Sequence, residues 1–563
     1  MEAMSKLTSR TGPVARGDHG YVIIKVRGTA GEAKGAGMKR GRRLSVGLVL
    51  AGVSFLTFGC TSATGHTAQH GPAGPVPSGM EKFYGQSLSW TGCSSFATTP
   101  RDKKAYADPG LQCAYVNVPL DYANPNGRTI KIALLRRPAS DQAHRIGSLV
   151  INPGGPGGSG MSTAASLADQ VASNDIGRRF DFVGFDPRGV GSSEPQVVCR
   201  TPAERDAERL MNLNVDSSPA GVERTENQEK ADDQGCVDRT GKDVLANIGT
   251  REVVRDMDIM RSALGDEKLT YLGYSYGTRI GSTYAEAFPR NVRAMILDGA
   301  VDPAQDPIAQ LIDQGRGFQK AFDTFAAWCA PRPDCALGPD AAQAVSKYQA
   351  LVRPLINRPA TVPDGRKMSY TDATIGTVQA LYLSDLWPTL NRGLQEVAQG
   401  QGDTLMRLAD VYYGRSQDGT YSTEMDVFQS VLCVDNPPIK DRNVARDVDA
   451  QYRKVAPFLD TGQPPSPALD NCAFWPVAST GGPHVPQAPG LPTVMVISTT
   501  QDPATPYQAG VNLANDLRGR LLTYEGTQHT AFLQGDSCVD RAGISYLTDL
   551  QLPAEGTRCK PAN

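Results

Sequence analysis

The sequence predicts an α/β chain: a largely parallel sheet with helices on both faces, interrupted once by a long helical segment. Three observations carry that reading. Short, β-branched apolar runs recur along the chain, each closed by turn residues. The later runs alternate with stretches of helical period, at 251–264 and 276–288. Between Ala300 and about Gly490 the strand signal fades, and helical periods such as 308–328 and 341–355 replace it. Continuous apolar strands alternating with helices mean a sheet buried on both faces, since neither face has to carry polar residues to water.

Eight strands are expected, at 113–118, 130–135, 148–151, 180–185, 269–272, 292–297, 493–497 and 521–524. The chain therefore divides into a sheet unit in two pieces, 81–305 and 486–563, separated by a mainly helical cap insertion at 306–485. Residues 61–80 are rich in Gly, Pro, Ser, Thr and Ala with no hydrophobic period, and read as a flexible tether.

Residues 1–60 read as an export region. Met38-Lys-Arg-Gly-Arg-Arg43 precedes the apolar run 44–58 and then Gly59-Cys60, the order of a basic segment, a short apolar core and a small residue at the cut. Met38 begins a complete signal by itself, and Arg42-Arg43 also fits a twin-arginine signal. Cys60 stands where a lipoprotein signal places its acylated cysteine, although Thr57 replaces the usual Leu. The expectation is a secreted or cell-surface protein, held to a membrane only by a lipid on Cys60. After residue 60 no apolar run is long enough to span a bilayer. Cysteine usage agrees with export: setting Cys60 aside, ten of the 11 cysteines remain and can pair in an oxidising compartment. Neighbours form the couples 93/113, 199/236, 329/335, 433/472 and 538/559, the simplest of the many connectivities. No Cys-x-x-Cys is present, so no metal site is expected. With 40% hydrophobic and 21% charged residues and a net charge of -2, the chain has no basic stripe for nucleic acid.

The chemistry centres on Gly273-Tyr-Ser275-Tyr-Gly277, set between an expected strand and an expected helix. This is the setting of a nucleophile elbow, and it specifies the α/β-hydrolase fold. Ser275 is the expected nucleophile. A serine hydroxyl needs a base, and the six histidines narrow to one. His19, His66 and His70 lie in the leader and tether, His144 precedes the nucleophile, and His484 lies in a Gly/Pro-rich segment. His529 follows the last strand, where the fold's order of serine, acid and histidine puts the base. Asp502, one strand earlier in Gln501-Asp-Pro-Ala-Thr-Pro506, is the expected acid, with Asp298 as its rival and Thr505 as a neighbour or helix cap. The oxyanion donors are expected from the backbone N–H of Tyr276 and from the loop 152–160, Asn-Pro-Gly-Gly-Pro-Gly-Gly-Ser-Gly, with Gly155 as the donor. That loop lacks the Lys of a phosphate loop, so no nucleotide or other cofactor is expected.

These residues carry a family resemblance. Pro153-Gly-Gly-Pro-Gly-Gly158 and Asp186-Pro-Arg-Gly-Val-Gly-Ser192 are similar to segments of prolyl iminopeptidases, with Pro153 replacing a His. Together with Gly-Tyr-Ser-Tyr-Gly, Asp-x-x-Thr-Pro, Cys433-Val-Asp435, Cys472-Ala-Phe-Trp-Pro476 and the paired cysteines, the chain more closely resembles secreted bacterial tripeptidyl aminopeptidases from about residue 85 onward. The resemblance implies a serine exopeptidase that acts on peptides with free amino termini, with Ser275, Asp502 and His529 as triad. Recognition of an ammonium calls for a carboxylate in the pocket; Asp435 is the first choice and Glu194 the second. The alternatives are a carboxylesterase or lipase with the same triad, or an envelope lipoprotein that only binds peptides.

Overall fold

The computed structural model describes residues 69–213 and 215–561. A nine-stranded sheet organises it. In chain order its strands are β1 (Gln112–Pro119), β2 (Thr129–Arg137), β3 (Gly147–Asn152), β4 (Phe180–Asp186), β5 (Leu269–Tyr274), β6 (Val292–Asp298), β7 (Met495–Thr499), β8 (Arg520–Tyr524) and β9 (Arg558–Cys559). Their order across the sheet is β9-β8-β7-β6-β5-β3-β4-β2-β1. The pairs β1/β2 and β2/β4 are antiparallel and all others parallel.

The eight expected strands are present. The ninth, β9, is a correction to that count: two residues are too few for any periodicity, and its parallel pairing with β8 places it. Side-chain alternation explains the burial of both faces. In β3, Val150 joins one apolar cluster while Leu149 and Ile151 join the other; in β6, Met295 and Leu297 alternate with Ala294 and Ile296 in the same way. Helix α1 (Gly160–Ala172) covers the second face; α2 (Thr250–Ala263) and α3 (Tyr276–Ala287) cover the first.

Between β6 and β7 the chain is mainly helical, with α4 (Pro307–Cys329), α5 (Tyr370–Leu381), α6 (Trp387–Ala398), α7 (Asp403–Tyr412) and α8 (Glu424–Asp435) among its elements. Most of this segment builds a third apolar cluster around Phe318, Phe322, Phe325, Tyr348, Trp387 and Leu405. Helix α8 differs: its Val427, Val431 and Val434 join the cluster under the sheet. The segment is thus anchored to the sheet through α8, and that anchoring brings the first turn of α8 to the site described below.

The described part of the expected tether is not loose. Gln69–His70 pairs with Ser87–Leu88, and Ala73 donates to Ser262 Oγ while accepting from Arg261 Nη1. These are main-chain bonds to the sheet unit, which composition cannot signal. The export region and Cys60 lie outside the described residues. Among those described, no helix is long and apolar enough to cross a membrane.

Five disulfides join Cys93–Cys113, Cys199–Cys236, Cys329–Cys335, Cys433–Cys472 and Cys538–Cys559, the neighbour pairing among the possible connectivities. The last ties β9 to helix α9 (Ser537–Asp549) across 21 residues. Such a crosslink restricts the unfolded chain, worth about 2–4 kcal/mol. Replacing both Cys538 and Cys559 with Ser is expected to lower the unfolding free energy by that amount in a denaturant titration. An unchanged midpoint and slope would show that the sheet edge does not depend on this bridge.

Candidate active site

Strand β5 runs into α3 through Ser275, whose backbone sits at φ 55 and ψ -125. That conformation is strained for a residue with a side chain, and it lifts the hydroxyl out of the turn. The neighbours must then be bare. A Cβ at Gly273 would lie 2.4 Å from the carbonyl oxygen of Gly277, and one at Gly277 would lie 2.7 Å from that of Asn152. The Ser275 N–H donates to the main-chain oxygen of Asp298 at 2.9 Å, which pins the elbow to the end of β6.

The glycine-rich loop after β3 presses on this turn. Gly154 has φ +94, and a Cβ there would lie 2.5 Å from the Tyr274 carbonyl and 2.9 Å from both Ser275 Cβ and Tyr276 N. Gly155 follows at φ +106 and lines the cleft. Tyr276 opens α3, where first-turn N–H groups have no helical acceptor. The Asp186 carboxylate fixes the loop's far end: it accepts from Ser159 Oγ at 2.6 Å, Met161 N at 3.2 Å and Ser192 N at 2.8 Å. Burial raises its pKa to about 6 against these bonds, which favour the ion. Arg188, two residues on, is buried against Asp256 and the carbonyls of Pro119 and Leu120. The Asp-x-Arg-Gly segment therefore holds backbone rather than meeting the cleft through these side chains.

His529 stands in the turn after β8. Its Nδ1 lies 2.9 Å from both Asp502 oxygens, and Thr505 Oγ1 lies 3.3 Å from the same nitrogen. Asp502 Oδ1 also accepts the N–H groups of Ala504 and Thr505 at 2.9 Å, so the tight turn aims the carboxylate. Burial alone would lower the His529 pKa; the Asp502 charge and hydrogen bond, with Asp298 adding to them, outweigh it and raise the pKa above 6.5. No hydrogen bond within the usual distance limit joins Ser275 Oγ to His529 among the described residues, a contact that often closes only with substrate in place. Asp298, the rival acid, does not serve His529 Nδ1. Its Oδ2 accepts the N–H groups of Ala531 at 2.9 Å and Phe532 at 2.7 Å.

The helical segment reaches the same turn. The His529 N–H donates to the Tyr382 carbonyl at 3.0 Å, Leu383 bridges Gln528, and the Tyr382 ring meets the imidazole edge-on at 5.6 Å. Ser275 and His529 open on a cleft of about 1860 Å³ between the carboxyl ends of the strands and this segment, which contributes Gln379, Tyr382, Glu424 and Phe428 to the lining.

The expected ammonium partners are elsewhere, which corrects that expectation. Asp435 is 5% exposed and outside the cleft lining; its carboxylate accepts the N–H and hydroxyl of Thr250 at the start of α2. Glu194 pairs with Lys131 at the surface at 2.9 Å, also outside the lining. Sequence reasoning missed Glu424. This carboxylate lines the cleft, partly buried, at the first position of α8, beside the glycine loop: a Cβ at Gly157 would lie 2.4 Å from the Glu424 carbonyl. It has no ion-pair partner among the described residues, and burial raises its pKa to about 7. From sequence, an acid opening a helix looks like ordinary dipole complementation. Gln379 lies on the same cleft, 3% exposed, with its Oε1 buried and unpaired. The one cluster of potential metal ligands among the described residues, Asp536 with Cys538 and Cys559, has both sulfurs in a disulfide.

Comparison with known proteins adds three relatives and a family. Residues 147–536 match the family described as the alpha/beta hydrolase fold. A relative named serine protease Hip1, from Mycobacterium tuberculosis, is 47% identical over 92% of this chain and 98% of its own. One named carboxylesterase B, from the same organism, is 47% identical over 92% and 97%. A tripeptidyl aminopeptidase from Streptomyces lividans is 31% identical over 84% and 87%.

If Ser275 is the nucleophile, Ser275→Ala is expected to lose about 10⁴-fold or more in kcat while melting like the wild type. The base must be neutral to accept a proton. Because the pKa of His529 is raised above 6.5, the acidic limb of kcat/KM is expected above pH 6.5. Asp502→Asn removes the charge that favours imidazolium, so this limb moves to lower pH as the rate falls roughly 10³–10⁴-fold. A limb unmoved by Asp502→Asn, measured in pH–rate profiles, would assign it to another group.

Proposed function

Because the chain belongs to the α/β-hydrolase fold family and to the serine peptidase group within it, we propose that it releases short peptides, tripeptides in the first instance, from free amino termini. Ser275 Oγ attacks the scissile carbonyl as His529 Nε2 takes its proton, and Asp502 holds the imidazole and stabilises its charge. The N–H groups of Tyr276 and Gly155 receive the oxyanion. His529 then returns the proton to the leaving amine. Water, deprotonated by the same base, frees the acyl group from Ser275. Residues 306–485 act as a cap that closes the acyl side of the cleft after a few residues. The protein works outside the cell, exported by its leader and tethered through a lipid on Cys60.

One observation carries the exopeptidase reading over an endopeptidase: the unpaired Glu424 carboxylate in the cleft wall. A carboxylate withdrawn from water without a partner is costly, and a substrate ammonium repays that cost. The helix N-terminus beneath Glu424 favours its ionised form, while burial opposes it. The esterase is the second reading, favoured by the relative named carboxylesterase B at the same identity as the serine protease. An ester has no ammonium to place against Glu424.

The deciding assay compares a tripeptidyl chromogenic amide, its N-acetylated form and a short acyl ester. The free-amine peptide is expected to be cut on the order of a hundredfold faster than the acetylated one, the equivalent of about 3 kcal/mol for an unpaired buried charge. Glu424→Gln is expected to erase most of that preference while sparing the ester. Glu424 ionises as pH rises through about 7, so KM for the free-amine peptide should fall across that window and KM for the acetylated one should not. Equal cleavage of both peptides by the wild type would sink the exopeptidase reading.

A further inference from the structure

Asp298 is unusual for a residue outside the cleft. It is fully buried at the end of β6, and both its backbone and its side chain reach the reacting residues. Its main-chain oxygen accepts the N–H of Ser275 at 2.9 Å. Its carboxylate Oδ2 accepts the N–H groups of Ala531 and Phe532, two and three residues after His529. The turn it opens lies under the imidazole: a Cβ at Gly299, whose φ is +67, would stand 3.1 Å from His529 Cε1 and 2.9 Å from Thr530 Cγ2. The stretch it holds is itself strained, with φ of 65 at Thr530 and 57 at Leu533. Tyr274 OH adds a bond to the Phe532 carbonyl at 3.1 Å from the neighbouring strand.

A residue needed only to satisfy two backbone N–H groups could be an amide. Asp298 is instead an acid, with its Oδ1 buried and unpaired. An uncompensated buried oxygen is expensive, so its retention asks for a reason in the site.

We propose that Asp298 is a positioning residue for the serine–histidine pair, holding the nucleophile's backbone with its carbonyl and the histidine turn with its carboxylate so that the two keep one register. The inference rests on the triad reading above and goes beyond it. The groups facing the carboxylate are His529 and Asp502 from the turns after β8 and β7, and Tyr274 from β5. In its ionised form Asp298 both draws the two N–H groups and favours imidazolium on His529. Burial places its pKa at about 7, against those two bonds, so its charge is sensitive to the setting in which the base works.

The test uses two variants and two readouts of the triad alone: the rate of labelling by a fluorophosphonate and kcat on a short acyl ester. Asp298→Ala frees the histidine turn and is expected to lower both on the order of 10²-fold, as a misplaced catalytic group does, with KM within about twofold because the residue does not line the cleft. Asp298→Asn keeps an acceptor for both N–H groups and loses the charge. It is expected to retain most of the rate but to shift the acidic limb of kcat/KM to lower pH, an effect that loss of stability alone would not produce. Asp298→Asn by itself decides the matter if the alanine variant does not fold. Overturning results are a folded Asp298→Ala with wild-type labelling and kcat, or an Asp298→Asn with an unmoved limb. A wild-type protein that the probe does not label would instead fell the triad reading, and this proposal with it.

Discussion

Close backbone approach at Ser275 is the constraint on which the rest of the site depends. Ser275 sits at φ 55, and three chain segments crowd it so closely that Gly154, Gly273 and Gly277 cannot carry a Cβ. Each glycine is fixed by a different neighbour: Gly273 by the helix after the elbow, Gly277 by β3, and Gly154 by the elbow itself. The glycine loop can approach Ser275 this closely only because it has no side chains to keep it off. Asp186 then secures that loop and the Ser192 turn together. The parallel strands β3, β5 and β6 supply the frame, since their carboxyl ends meet at one point.

The histidine is constrained from two directions. Asp298 holds its turn from below, and the Tyr382 carbonyl holds its own N–H from the helical segment above. A segment that only covered a cleft would not need a main-chain bond to the His529 turn. This one also borders the nucleophile's loop, since the Glu424 backbone lies against Gly157. Displacing the segment would therefore disturb the His529 turn and the glycine loop together.

The legible features were those with a local signature. The eight longer strands carry apolar runs, the elbow carries its glycines between a strand and a helix, and Asp502 and His529 follow successive strands as the fold requires. What escaped the sequence had no such signature. β9 is two residues whose place comes from β8 and a disulfide. The chain from Gln69 looks like a linker because its anchors are backbone hydrogen bonds. Asp435 was expected as the carboxylate for a substrate ammonium, but α8 turns its side chain to Thr250. Glu424, on the other end of that same helix, faces the cleft. Ten residues of helix separate an acid used in packing from one without a partner, and only the packing of α8 on the sheet cluster distinguishes them.

Asp502, Asp298 and Glu424 thus stand in three different environments. Asp502 is met by the backbone N–H groups of Ala504, Thr505 and Thr530 and by the imidazole, contacts that aim its carboxylate at His529. Asp298 is compensated on one oxygen only, the one that holds the turn beneath His529. Glu424 has neither a cation nor a donor among the described residues, yet it borders the open cleft rather than the core. An unmet acid inside a core would be a defect that an apolar residue could cure. An unmet acid on a cleft wall is instead an acceptor open to a ligand's donor. A peptide ammonium supplies three N–H donors and a positive charge, where an acyl ester offers only acceptors and carbon. The chemistry of the wall is therefore more informative about the substrate than the triad, which peptidases and esterases share.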